Sequence, residues 1–213
     1  YGLVAGNHDG APASTAEFNA RFATRKTVQA SFAGRYGTSD YDNYYTLFEA
    51  GGMQFVAVFI EMDDGMTSAA HPVLQWANSI MQMYTNRRAI LVTHNLLNGG
   101  TATSFSAQGS AIFDALKGNA NLFLMLGGHL DVARRRSDTG TNGNTIYSLR
   151  SDYQTVDNQQ SGYLRSMRFS PAENLIYVST YSPTQKKEYP NEVTENNFTL
   201  PYAMSSSGPF SVI

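Results

Sequence analysis

Cysteine is absent from the 213 residues. That excludes disulfides, thiolate-held zinc and a cysteine nucleophile, and it leaves the redox compartment open. Charge is sparse too: 15% of residues are Asp, Glu, Lys or Arg, acids and bases are interspersed, and the net charge is −2. Such a chain lacks the basic footprint of a nucleic-acid binder and has no polybasic patch for a membrane surface. No apolar run is long enough to span a bilayer. There is no signal peptide, but the first residues already read as a strand, so its absence means little. Low charge with abundant Tyr, Asn, Ser, Thr and Gly leans towards an exported bacterial protein, extracellular or periplasmic. The 42% hydrophobic content and the length suit a single domain, residues 1–213, with a sizeable core.

Histidine is also scarce, and its placement is informative. Of four in the chain, His8, His94 and His129 each sit just past an apolar run of strand length. The first run, Tyr1-Gly2-Leu3-Val4-Ala5, ends in Gly6-Asn7-His8-Asp9-Gly10. The second, Ala89 to Thr93, leads into His94. The third, Leu122 to Leu126, leads into Gly127-Gly128-His129-Leu130-Asp131. Apolar runs bounded by glycine read as buried strands ending in tight turns. If the strands are parallel neighbours, the three rings gather at one sheet edge, where α/β proteins place their ligands. A single histidine after a strand is commonly a hydrogen-bonded turn residue. Three of them, one within Gly-Asn-His-Asp, favour a metal site assembled from distant positions.

Between these runs the pattern predicts a helix beginning near Ser14 or Thr15, with Phe18 and Phe22 on one face. The aromatic stretch 35–48 ends in a strand, Glu49-Ala50-Gly51-Gly52 turns, and Met53 to Ile60 pairs back. Its tyrosines either line a substrate cleft or pack across the hairpin. Glu61, Asp63 and Asp64 resemble paired catalytic carboxylates, but Asp-Asp-Gly is a common turn sequence and the structural reading is preferred. Pro72 to Tyr84 is the clearest helix, with Val73, Trp76, Ile80 and Tyr84 at helical spacing. His71 caps it or lies at the surface. Ala107 to Leu116 reads as a helix stopped by Gly118. Arg134, Arg135 and Arg136 could hold a phosphate, though a solvated cluster is the plainer reading. Short alternating runs at 145–153, 163–169, 175–181 and 198–202 predict an antiparallel segment added after the α/β units. No Gly-x-Ser-x-Gly elbow is present to support a serine hydrolase.

The order Gly6-Asn7-His8-Asp9, a strand ending in His94, then Gly128-His129-Leu130-Asp131 resembles the calcineurin-like metallophosphoesterases. The tail, with Gly162-Tyr163-Leu164-Arg165 and Thr180-Tyr181-Ser182-Pro183, is similar to their secreted bacterial branch. The resemblance implies an α/β fold: a two-sheet sandwich flanked by helices (α/β/β/α), with an antiparallel C-terminal part. It implies hydrolysis of a phosphomonoester or phosphodiester by a metal-bound hydroxide, with a phosphorylated small molecule or a nucleotide as substrate. Asn7, His94 and His129 would ligate one of two divalent or trivalent ions (Mn, Fe or Zn). His8 would stabilise the transition state or protonate the leaving oxygen, and Asp9 would orient His8 by a hydrogen bond.

Two features depart from the family. Where its last motif has a second histidine, this chain has Asp131, which is either a ligand favouring harder ions or a bystander. The upstream motifs Asp-x-His and Gly-Asp-x-x-Asp would precede Tyr1. The resemblance therefore implies that the N-terminal portion and first strands are missing, that these residues hold part of the site, and that alone they turn over poorly or not at all. The alternative is a degenerate, non-catalytic binding module on the same fold.

Overall fold

The structure, a computed structural model, describes residues 1–38, 40–190 and 194–204. In chain order the elements are α1 (Ala16–Thr27), β1 (Phe32–Arg35), β2 (Tyr44–Ala50), β3 (Met53–Ile60), α2 (Pro72–Met83), β4 (Arg88–Thr93), α3 (Ala107–Leu116), β5 (Leu122–Gly127), β6 (Arg134–Thr139), β7 (Thr145–Arg150), β8 (Leu164–Ser170), β9 (Leu175–Ser182), β10 (Lys187–Glu188) and β11 (Phe198–Pro201). Seven strands form a mixed sheet in the order β1-β2-β3-β4-β5-β7-β6. Its centre, β3-β4-β5-β7, is parallel throughout. A second, antiparallel sheet is built on β9, which pairs with β8, β10 and β11.

Both faces of the central strands are covered, so they read as near-continuous apolar runs rather than alternating ones. On one face Val56, Val58, Ile60, Leu91 and Met125 pack under Leu74, Ala77 and Met81 of α2 and Ile112 and Leu116 of α3. On the other, Phe55, Phe123, Leu124 and Leu149 meet Ile176, Val178 and Leu200 of the second sheet, with Met204 beside them. Phe123 stacks on Tyr202 at 4.1 Å between centroids. The architecture is thus a two-sheet sandwich with helices on the large sheet's outer face. Leu74, Leu91, Leu116 and Leu124 are each fully buried, and each contributes about 2 kcal/mol to the hydrophobic stabilisation.

Local signals act where the sequence places them. Pro72 occupies the first turn of α2, where its missing N–H costs nothing. The Ser106 hydroxyl accepts the Gly109 N–H at 2.9 Å and caps α3. Gly51 and Gly52 take positive φ between β2 and β3. Asp63 Oδ1 accepts the Gly65 N–H at 2.8 Å, so Asp63 is a turn residue, and His71 precedes α2 with its ring 3.7 Å from the Asp63 carboxylate.

Three expectations are corrected. Residues 1–5 join no sheet ladder, and β3 is already bonded on both sides by β2 and β4. The segment instead lies over Tyr44, whose hydroxyl accepts the Leu3 N–H at 2.7 Å and donates to its carbonyl at 3.0 Å. Second, the run beginning at Thr145 belongs to the large sheet, as β7 parallel to β5, and not to the antiparallel tail. Third, Arg134 to Arg136 form a strand. Arg136 pairs with Asp138 at 2.5 Å and lies over Phe105, while Arg135 covers Phe198 and faces Glu195.

Candidate functional site

Parallel pairing brings the carboxyl ends of β4, β5 and β7 to one edge of the large sheet. His94 is the first residue beyond β4, and its carbonyl accepts the Gly128 N–H at 2.9 Å, tying it to the turn after β5. The turn is tight: Leu130 N–H donates to Gly128 O at 2.9 Å, closing three residues around His129. His129 therefore takes φ +72°, a left-handed conformation that costs a non-glycine residue about 1–2 kcal/mol.

The third contributor comes from the chain's beginning. Asn7–Asp9 form one turn of 3-10 helix, which Gly10 leaves at φ +96°. The Asp9 carboxylate accepts the Gly6 N–H at 3.0 Å, closing the turn on itself. Asn7 Oδ1 then lies 3.0 Å from His94 Nε2 and 3.2 Å from His129 Nδ1. The two imidazoles are 4.9 Å apart between centroids and tilted by 56°. Residues 7, 94 and 129 thus converge on one point.

As drawn, one carboxamide oxygen accepts two imidazole N–H bonds. The same three atoms also suit a cation. Ligands in adjacent positions around an octahedral ion with bonds of about 2.1 Å stand about 3.0 Å apart, close to the 3.0 and 3.2 Å from Asn7 Oδ1 to the two ring nitrogens. Occupancy would require the opposite tautomers, with the protons on His94 Nδ1 and His129 Nε2. Burial lowers the His94 pKa, and the neighbouring His129 ring lowers it further. Asp152 and Asp9 act in the opposite direction, and His8 reinforces the depression. A neutral His94 is the form that can offer a lone pair. Among the described residues no group of three or more His, Asp or Glu side chains converges in this way; the trio depends on its carboxamide. The donor set fits a divalent transition metal.

The other sequence candidates lie around this trio. His8 is exposed. The Asp9 carboxylate holds the Gly6 backbone, in place of the hydrogen bond to His8 that the resemblance implied. Asp131 forms no cluster with the two histidines among the described residues. Its carbonyl accepts the Gly100 N–H at 2.8 Å, which pins it to the loop after β4, and its carboxylate acts on Arg150. Arg150 is fully buried, donating to Val132 O and Gly100 O.

A cleft of about 500 Å3 opens beside the two histidines. Its walls include Asp152, Tyr153, Ser161 and Tyr163, none of which the sequence marked as a site residue, although Tyr163 lies in the tail motif. Asp152 was detectable in principle, since it lies two residues past a strand, as Asp131 lies four past β5. Of the tyrosines in the stretch 35–48, Tyr36, Tyr44 and Tyr45 serve packing, with Tyr44 stacked on Phe59 and Tyr36 and Tyr45 edge-on to Trp76, while Tyr41 lies under the Arg35 guanidinium.

No family model matches the chain. It is 30% identical over 209 residues to the uncharacterized protein YvnB of Bacillus subtilis (strain 168), covering 92% of this chain. The chain spans about 15% of that relative's length. Among solved structures, it is similar to a dimetal phosphatase from Danio rerio, with 13% identity and a TM-score of 0.48 over 76% of this chain and 62% of that one. It is also similar to GAP50, the anchor in the inner membrane complex of Plasmodium, with 14% identity and a TM-score of 0.45 over 79% and 56% of the two chains. Among the described residues no helix is long and apolar enough to cross a membrane.

Proposed function

We propose that this chain contributes to hydrolysis of a phosphate ester at a two-metal centre, with Asn7, His94 and His129 holding one of the ions. The observation that carries the reading is the meeting of Asn7 Oδ1 with His94 Nε2 and His129 Nδ1 at 3.0 and 3.2 Å. These residues also match, in order, the Gly-Asn-His-Asp, His and Gly-His positions of the calcineurin-like metallophosphoesterases. Manganese, iron and zinc all suit imidazole with an amide oxygen. When bound, such ions neutralise charge on the phosphoryl oxygens and make water more acidic.

The chain's own residues have separate tasks. His94, kept neutral by its surroundings, presents a lone pair. Asn7 adds an oxygen without adding charge. Gly6, lacking a side chain, leaves the His94 ring its room. His8, exposed on the same turn as Asn7, gives a proton or hydrogen bond to the leaving oxygen. Asp9 fixes that turn through the Gly6 N–H and so positions both Asn7 and His8.

Hydrolysis of a chromogenic phosphomonoester and phosphodiester by the protein extended upstream of Tyr1, with manganese and with chelator, tests the reading. Turnover that requires the metal and falls at least a hundredfold in His94→Ala supports it. A second reading, a non-catalytic binding module, draws on Asp131 standing where the family has its second histidine. It predicts metal binding without turnover of either ester.

A further inference from the structure

The cleft beside His94 and His129 has a second wall that the phosphate chemistry does not use. Tyr153 and Tyr163 line it, and Tyr189 packs against both. The ring centroids are 4.8 Å apart for Tyr163 and Tyr189, 5.8 Å for Tyr153 and Tyr163, and 5.9 Å for Tyr153 and Tyr189. Three separate stretches supply them: the loop after β7, the residue before β8 and the residue after β10. All three rings are only partly buried, so the cluster keeps aromatic surface in contact with solvent.

Tyr153 is firmly held, and Tyr163 and Tyr189 pack against it. The Tyr153 hydroxyl donates to Asn196 Oδ1 at 2.8 Å, lies 3.0 Å from Thr180 Oγ1 and accepts from Arg165 at 3.2 Å. Arg165 in turn donates to Glu195 O at 2.7 Å. A ring fixed from behind by its hydroxyl can present a rigid face at little entropic cost, which is how tyrosine serves in binding surfaces.

The spacing also selects the occupant. The rings touch one another, so no cation fits between their faces as it would in an aromatic cage. The guanidinium of Arg165 behind Tyr153 further disfavours a cationic guest. A flat guest stacked against Tyr163, which lines the cleft and is partly exposed, meets neither objection. Ser151, Asp152 and Gln154 line the same cleft and supply the polar groups that sugar hydroxyls require. Its volume of about 500 Å3 lies within the range of small-ligand sites.

We propose that the Tyr153, Tyr163 and Tyr189 wall is the subsite for the alcohol part of the ester, and that this part is a nucleoside whose base stacks on Tyr163. The proposal rests on the reading of the histidine end as the phosphate end, but the stacking itself needs no metal.

The test therefore begins with adenosine and metal-free protein, by calorimetric titration of the wild type, Tyr163→Leu and Tyr163→Phe. Adenosine is expected to bind the wild type and Tyr163→Phe alike and to bind Tyr163→Leu about tenfold more weakly, the scale of a lost base–aromatic stack. Manganese affinity is expected to be equal in all three. Equal adenosine affinity in the wild type and Tyr163→Leu, or no binding of adenosine at millimolar concentration, overturns the subsite. Should Tyr163→Leu fail to fold, nuclear Overhauser contacts between adenine protons and the Tyr163 ring in the wild type decide the matter, and their absence overturns it. Parallel hydrolysis of adenosine monophosphate and glycerol phosphate by the protein extended upstream of Tyr1 separates the two claims. Tyr163-dependent adenosine binding without turnover of either ester supports the subsite and removes the hydrolytic reading. Turnover of both esters at rates that Tyr163→Leu leaves unchanged retains that reading and removes the subsite.

Discussion

Gly6 faces the His94 imidazole so closely that a Cβ on it would stand 2.7 Å from ring atoms Cε1 and Nε2. Its backbone, at φ −116°, is open to any residue, so the glycine is required by the ring and not by the turn. Gly6→Ala is expected to swing His94 out of line with Asn7. The fold loses about 1 kcal/mol, the cost of one off-rotamer ring, while metal affinity falls about 10- to 100-fold. Chemical denaturation and metal titration of the same variant check both parts.

His129 offers a second separation of site from fold. At φ +72° glycine is at ease and alanine is not, so His129→Gly is expected to be more stable than His129→Ala by about 1 kcal/mol. That reverses the order expected at an ordinary position. Neither variant retains the metal affinity of the wild type. Paired urea melts give the stability order.

Helix α3 is set by a similar approach. A Cβ on Gly109 would lie 1.9 Å from Leu96 O, a backbone atom two residues beyond His94. Alanine is the better helix former by about 1 kcal/mol, yet Gly109→Ala is expected to destabilise the protein by about 2 kcal/mol because helix and loop must separate. Thermal unfolding with near-ultraviolet circular dichroism would register the change.

The end of β3 carries the chain's clearest pH dependence. Burial pushes the Glu61 carboxyl up to about 7 from 4.5, and Asp42 adds to the effect against a hydrogen bond from Asn43. The folded state then holds this proton more tightly than the unfolded one. Its contribution to stability is complete below about pH 4.5 and is lost as the pH rises through about 7. Glu61→Gln keeps an acceptor for Asn43 and removes the charge. The variant is expected to draw ahead of the wild type across that window, reaching about 1–2 kcal/mol at pH 8. Partial solvent screening and the nearby ammonium of Lys26 hold the figure down. Melting temperatures from pH 4 to pH 8 test it, and parallel curves would contradict it.

Much of the site could be read from the chain because two of its strands announce themselves. The runs ending at Thr93 and Gly127 are apolar and short, so the positions of His94 and His129 followed once those strands were taken as parallel. Asp152 is hidden in sequence because the run 145–153 reads as one antiparallel strand with Asp152 inside it, whereas β7 ends at Arg150 and runs parallel to β5. Residues 1–5 have the composition of a strand, but ladder positions depend on which edges are vacant, and that is a property of the whole sheet. Tyr153, Tyr163 and Tyr189 come together through the second sheet's topology, which alternation alone could not specify. The hairpin tyrosines, open to either reading in sequence, went to the core because β2 lies under α2 on one face and under residues 1–5 on the other.

The account stands on Asn7, His94 and His129 gripping one cation together. Titration of metal-free protein with manganese, followed by the electron paramagnetic resonance of the free ion, measures this directly in the wild type, Asn7→Ala, His94→Ala and His129→Ala. Saturable binding in the wild type, weakened at least tenfold by each single substitution, is the predicted result. Wild-type protein that leaves the free-ion signal untouched, or variants that bind as tightly as the wild type, would contradict it.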